Sequence, residues 1–517
     1  MISPSFLRRP PAPFFFGRRA ADSNRVIRSA NGAALRPGVV AAVLGLLVVA
    51  AIAWPATRPG DLLRDFNAFY CAGQTLQHGS DPYRAEPLGS CERTPKPEPL
   101  MTTGRGLVAP APLPPYALVP FRLLAQLPYV VAALVWTLLE IIAVGVAVAA
   151  MRCMTNLPVG ALFAAFALGD GYASLCLGQI APFAVAAIAV AAMLLAEDRD
   201  ELAACAAGVA MLEPHVGLPV CASLFFWRSR TRLPLVGIAV VFAATSVAVA
   251  GLSTSLEYVR DVLPAHALSE IANEKQFSLT YALHRLRFSD VVALRAGEIW
   301  YAAAFVAGIW AAGRLGRRTG NAGALVVIPP ALVVLGGPFV HIVQIAAALP
   351  AALVLYAASG GRTRRVLGCA IVMLAIPWIQ FSNLGTIFIA LAAVTAALLV
   401  WAFVDERPLW VTIGACAAVG FLCGAIALVG PIADATPLLV AQYDPRALAE
   451  TSWLLFVRTI GTANATAFDF AKLPTVAGLV ILAFATIVAA LQPAKTAVLS
   501  VAPGGKGAGV SRRIALP

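Results

Sequence analysis

Residues 201–227 read ELAACAAGVAMLEPHVGLPVCASLFFW. The stretch is apolar on both sides of a break at Glu213-Pro214-His215. It is too long for an ordinary membrane span, because about 20 apolar residues (about 17–25) cross the hydrocarbon core. Its proline interrupts helix, and its glutamate and histidine are costly in lipid. Whether the two halves cross the bilayer or enter and return decides the fold.

The basic residues answer that question. Arginines cluster at Arg8, Arg9, Arg18 and Arg19, at Arg228, Arg230 and Arg232, at Arg314, Arg317 and Arg318, at Arg362, Arg364 and Arg365, and at Arg512 and Arg513. Cytoplasmic loops carry an excess of Lys and Arg. If all these clusters are cytoplasmic, residues 201–227 form two short helices with "EPH" at their outer turn. Such a broken pair must line a cavity or be covered by neighbouring helices, since irregular backbone does not face lipid.

The composition agrees with a membrane protein. The chain has 517 residues, 60% hydrophobic and only 12% charged, against about 25% in soluble domains, and its mean hydropathy is +0.82. The net charge of +12 lies in short connections and tails, as the positive-inside rule predicts, and does not indicate a nucleic-acid partner. Candidate spans are 37–54, 128–150, 157–172, 180–196, 233–252, 298–313, 321–337, 340–358, 365–381, 383–403, 408–428 and 473–491. With the broken pair, the fold class is all-α and polytopic, with about 13–14 transmembrane or re-entrant helices. Span 37–54 reads as an uncleaved anchor.

This arrangement divides the chain into a disordered, basic cytoplasmic tail at 1–36, one polytopic domain at 37–491 and a cytoplasmic tail at 492–517. Three long loops, 55–127, 253–297 and 429–472, fall on the extracytoplasmic side and hold most of the polar and aromatic residues. The nine cysteines contain no CxxC pair. Cys71 and Cys91 share the first outer loop and can pair if it faces an oxidising compartment.

Within that loop, "DLLRDFNAFYCAGQTLQHGSDPY" (61–83) reads as a short helix over 62–77 closed by a turn. Asp65, Phe69 and Ala72 share one face, with Tyr70 and Gln74 beside it. A partly buried carboxylate backed by aromatics can serve as a general base; it can equally cap a helix. "APAPLPPYALVPFRLL" is an extended proline-rich run until about Ala117. Gln179 stands at the outer end of a span, Glu213 and His215 at the break, and His341 in "GGPFVHIVQIAAALP" at the start of another span. Arg285 and Arg287 could bind a phosphate near the membrane surface. No Walker motif, dinucleotide fingerprint or zinc signature is present. An enzyme here would draw on a pre-activated, membrane-borne donor.

Taken in order, "HGSDPY", "PLPPYALVPF", "LGQIAPFAVAAIAVAAMLLAEDRDELAACAAGVAMLEPHVGLP" and "GGPFVHIVQIAAALP" resemble glycosyltransferase family 87, over roughly residues 37–360. That resemblance implies a GT-C-like helical bundle with amphipathic helices in its outer loops. It also implies an inverting transfer from a polyprenyl-phosphate sugar, mannose in many members, at the extracytoplasmic face of the cell membrane. Asp65 matches the general base, with Asp61 as its rival, and Gly178-Gln179 matches the family's "GQ". Pro338 and His341 match a corner beside the donor phosphate, while Glu213 stands where many relatives carry a lysine. Candidate substrate contacts are Asp61, Tyr70, Asp81, Tyr83, Gln179, Glu213, His215, Arg285 and His341. No residue is singled out as a metal ligand, and no cofactor is required, although the chemistry leaves a divalent metal open. The acceptor would be a glycolipid or polysaccharide. The competing readings are a transporter or flippase of a lipid-linked saccharide, and a non-catalytic assembly subunit.

Overall fold

The computed structural model describes residues 63–94, 108–167, 172–376, 378–379, 403, 443–460 and 465–492. Asp61, both tails, span 37–54, span 408–428 and most of 383–403 lie outside the described residues. Every regular element described is a helix, and the single β-contact among the described residues is an isolated bridge between Arg84 and Leu448.

The first long loop supplies α1 (Arg64–Gln77) and α2 (Ala85–Arg93). α3 (Tyr129–Thr155) follows, then α4 (Ala181–Ala196), α5 (Asp200–Val209) and α6 (Pro214–Trp227). α7 (Arg232–Glu257) leads into α8 (Leu263–Ser269), and α9 (Asp290–Thr319) precedes α10 (Ala324–Val333). α11 (Ala449–Ile460) and α12 (Ala465–Leu491) are the last of these larger elements. Among the described residues, four helical stretches are long and apolar enough to cross a membrane: Tyr129–Thr155, Ser229–Ser269, Asp290–Thr319 and Phe468–Leu491. The third of these begins at Ser289, whose hydroxyl accepts from Val292 N, and ends at Gly320 in the left-handed region (φ 69°).

α3 shows how composition sets packing in lipid. Leu134, Leu138, Ile142 and Val146 project from it as exposed apolar side chains, while Ala132, Ala143, Ala147 and Met151 are buried. Small residues on the inner face let α3 lie close to the alanine-rich α4.

The 201–227 stretch is a hairpin. α5 climbs to a short 3-10 turn at Ala210–Leu212, and α6 descends from Pro214. Arg228, just past the end of α6, lies 3.5 Å from Asp198 and 3.7 Å from Asp200, so the hairpin's open ends meet. The arginine-rich ends gather at that level. Arg317 lies 4.5 Å from the Trp227 ring, and Arg318 binds the Ala489 carbonyl and the Gln492 amide at the end of α12.

At the opposite end the long loops form one layer. Ala85 N donates to Ala447 O (2.9 Å), and Arg84 bonds Glu257 at the foot of α7. α8 packs on α11. Gly251 breaks α7 with φ 82° and ψ 162°, close to the predicted end of span 233–252. Cys71 and Cys91 are joined by a disulfide, stapling α1 to α2.

Candidate active site

α1 is held by its first residues. Leu63 N donates to Cys176 O (2.6 Å), fixing the start of the helix against the turn at 177–180. In that turn Gly178 has φ +72°, a region glycine enters without steric cost. A Cβ on Gly178 would stand 2.4 Å from Phe66 Cβ, so the turn lies directly on α1. Trp136 Nε1 donates to Gly178 O (3.1 Å), and Phe66 is fully buried among Trp136, Phe121 and Tyr129. Gln179 then reaches Asp65, its Nε2 donating to Oδ2. Burial raises the Asp65 pKa above the ordinary aspartate value, against the opposing pull of Arg64, of the Gln179 bond and of His341 and Lys275.

The "EPH" break is held from two sides. Tyr116 donates to Met211 O (2.7 Å), and Tyr301 donates to His215 O (2.8 Å). Gly217 lets α6 fold back on the turn, since a Cβ there would stand 2.4 Å from Ala210 O. Glu213 Oε2 and His215 Nδ1 are 3.6 Å apart, and His215 lies edge-on to Phe339.

The third wall is a corner between two outer segments. Phe277 N donates to Val340 O (2.8 Å), and Val340 N donates to Gln276 Oε1 (2.6 Å). His341 N donates to Gln344 Oε1 (2.7 Å) at the start of a new helix. The Gln276 amide nitrogen lies 2.7 Å from His341 Nε2 and 2.9 Å from Glu270 Oε2. Asn273 Nδ2 (2.6 Å) and Trp453 Nε1 (2.5 Å) also donate to the Glu270 carboxylate. Burial alone would raise the Glu270 pKa, but the charges of His341 and His266 and the Asn273 and Gln276 donors hold it below the ordinary glutamate value.

These walls enclose a cavity of about 620 Å³. Asp65, Gln179, Glu213, His215 and His341, all singled out in the sequence, line it together. Four other candidates do not. Tyr70 donates to Leu127 O (2.9 Å) and packs edge-on against Tyr129. Asp81 accepts from Tyr83 N and from Arg84 Nε, each at 3.0 Å, in the turn after α1. Tyr83 is buried and donates to Leu113 O (2.7 Å). Arg285 pairs with Asp469 at 3.0 Å. These four tie the outer layer together. Arg64, His266, Glu270, Lys275 and Trp453 also line it, and sequence reasoning did not single them out. The available signal was the i, i+4 pairing of His266 with Glu270 in an outer loop that also supplies Lys275.

The cavity can take an elongated polar group between a carboxylate wall and an imidazole wall. It sits at the end of the bundle opposite the arginine-rich connections: α6, α9 and α12 each run from a lining residue (Pro214, Glu298 or Phe468) towards that basic end. No curated protein matches the chain at a significant level. A family model does match: residues 113–335 align with that of glycosyltransferase family 87, a segment that carries Gln179, Glu213, His215, His266, Glu270 and Lys275. That match bears out the resemblance read from the sequence motifs, and with it the chain is a membrane glycosyltransferase.

Proposed function

We propose that this glycosyltransferase moves a hexose, mannose, from a polyprenyl-phosphate donor to an acceptor hydroxyl at the extracytoplasmic face, with inversion and with Asp65 as general base. The observation that carries the reading is the shared cavity, in which Asp65 and His341 occupy different walls and both act on the same space. The Cys71–Cys91 disulfide supports an oxidising compartment for that end of the molecule, and the arginine-rich opposite end supports a cytoplasmic one.

Transfer is a single displacement. Asp65 accepts the proton of the acceptor hydroxyl as its oxygen attacks the anomeric carbon. The bond from that carbon to the phosphate oxygen breaks, and the polyprenyl phosphate leaves with the electron pair. Lys275 and His341 face the growing negative charge. Gln179 fixes the Asp65 carboxylate by bonding one oxygen and leaving the other for the acceptor. Burial makes the Asp65 carboxylate a stronger base than a solvated aspartate. The acceptor is a glycolipid or polysaccharide hydroxyl that enters from the aqueous side.

The test uses purified full-length protein, polyprenyl-phosphate mannose and a panel of acceptors, with Asp65→Asn as the variant. Loss of a general base costs about 10²–10⁴-fold in rate, while donor binding is expected to persist. Transfer by Asp65→Asn at the wild-type rate removes Asp65 from the mechanism.

A further inference from the structure

We propose that His266, Glu270 and His341 bind a first-row divalent cation of the Zn²⁺ type at the imidazole wall of the cavity. One donor atom from each residue lies within 4.8 Å of the others. His341 Nε2 and Glu270 Oε2 are already 3.5 Å apart. Donors bound at about 2.0–2.2 Å in a tetrahedral site stand about 3.4 Å apart, so the remaining separations have to close by about 1.4 Å at most to complete the set.

Three further observations point to a ligand. His266 is 6% exposed, and its Nδ1 has no hydrogen-bond partner among the described residues. The Glu270 carboxylate is oriented by Trp453, Asn273 and Gln276, the kind of surrounding shell that fixes a metal ligand. The Gln276 amide nitrogen lies 2.7 Å from His341 Nε2, 3.2 Å from His341 Nδ1 and 2.9 Å from Glu270 Oε2, so imidazole and carboxylate gather around one small polar space.

The donor chemistry selects the class of ion. Two imidazoles and one carboxylate favour Zn²⁺ over Mg²⁺ or Ca²⁺, which prefer all-oxygen shells. Three protein ligands leave a coordination position open, as in sites that meet a substrate. The role of the ion rests on the transfer reading above. With Glu298 paired to Arg295, the lining carries Asp65, Glu213 and Glu270 against Arg64 and Lys275. A phosphodiester donor adds another negative charge, and one divalent cation balances the whole. The open position then faces a phosphate oxygen of the leaving group.

The experiment measures metal content and affinity. Full-length protein, purified without a polyhistidine tag into lipid nanodiscs, is stripped with EDTA and titrated with Zn²⁺, with bound metal read by mass spectrometry. Wild type and Asp65→Asn are expected to retain about one Zn²⁺ per chain, and His266→Gln and Glu270→Gln to bind at least about 10-fold more weakly. Folding of each variant is checked by its thermal transition without metal. Wild-type protein that retains no Zn²⁺, or folded variants that bind as tightly as wild type, overturn the proposal. The outcomes separate the two readings. Mannosyl transfer that resists EDTA in a protein free of Zn²⁺ sinks the cation site alone. Site-dependent Zn²⁺ binding without any mannosyl transfer sinks the donor assignment alone.

Discussion

Replacing Gly178 by alanine tests the link between α1 and the turn that carries Gln179. Two costs follow from the geometry. The backbone has φ +72°, and a non-glycine residue in the left-handed region costs about 1–2 kcal/mol. The new Cβ would stand 2.4 Å from Phe66 Cβ, where carbon atoms need about 3.5–4.0 Å. Phe66 Cβ is one bond from the backbone and its ring is locked against Trp136, so the turn or α1 must move by about 1 Å or more. Overpacking of this kind costs about 1–3 kcal/mol. The expected total is about 2–5 kcal/mol of stability. The displacement also pulls Gln179 away from Asp65, and a misplacement of about 1 Å can cost about 10²-fold in rate. The control is Gly79→Ala. Gly79 has φ +71° but nothing within 4 Å of the added Cβ, so it carries only the backbone cost. Thermal unfolding followed by tryptophan fluorescence, and kcat for sugar transfer, read the two effects on both variants. Equal losses in Gly178→Ala and Gly79→Ala would refute the reasoning, because the contact with Phe66 would then carry nothing.

As the proposed base, Asp65 would serve only when deprotonated, and burial raises its pKa, so kcat/KM should fall as pH drops through a value above the ordinary aspartate range. Gln179→Met removes a contribution that lowers that pKa and should move the acid limb upward; a limb that stays in place or moves down contradicts the assignment. In folding, the same raised pKa means that the charged carboxylate weakens the folded state as pH rises through this window. Lys275→Met should raise the donor KM about 10-fold, the value of a charge-assisted hydrogen bond of about 1.5 kcal/mol. Arg285→Met should leave the donor KM unchanged, since Arg285 is held by Asp469 away from the cavity; donor titrations on both variants decide it.

The hairpin of residues 201–227 was legible because proline and two ionisable residues in an apolar run carry both a break and a cost. Arginine placement then indicated that the stretch returns to the end it left, and the contact between Arg228 and Asp198 shows the return. The α1 helix was legible from spacing and turn chemistry. Asp65, Gln179, Glu213, His215 and His341 were found because each is polar beside an apolar run. Tyr70, Asp81, Tyr83 and Arg285 look the same by that criterion, yet they bond backbone or charge within the outer layer. Only tertiary docking separates the two groups. His266, Glu270 and Lys275 sit in a polar loop, where ionisable residues carry no cost and so give no signal. Their role depends on the chain turning back so that Val340 pairs with Phe277, a contact without a local sequence mark.

The shortness of α6 has a bearing on how a lipid-borne reactant arrives. Its 14 residues span about 21 Å at about 1.5 Å each, against a hydrocarbon thickness of about 30 Å. With its arginine-flanked foot at one interface, its proline tip stops roughly 9 Å short of the other. On the transfer reading proposed above, the reaction chamber is then sunken: a lipid-anchored donor would slide in laterally without leaving the oily phase, whereas the acceptor alcohol would descend from the water.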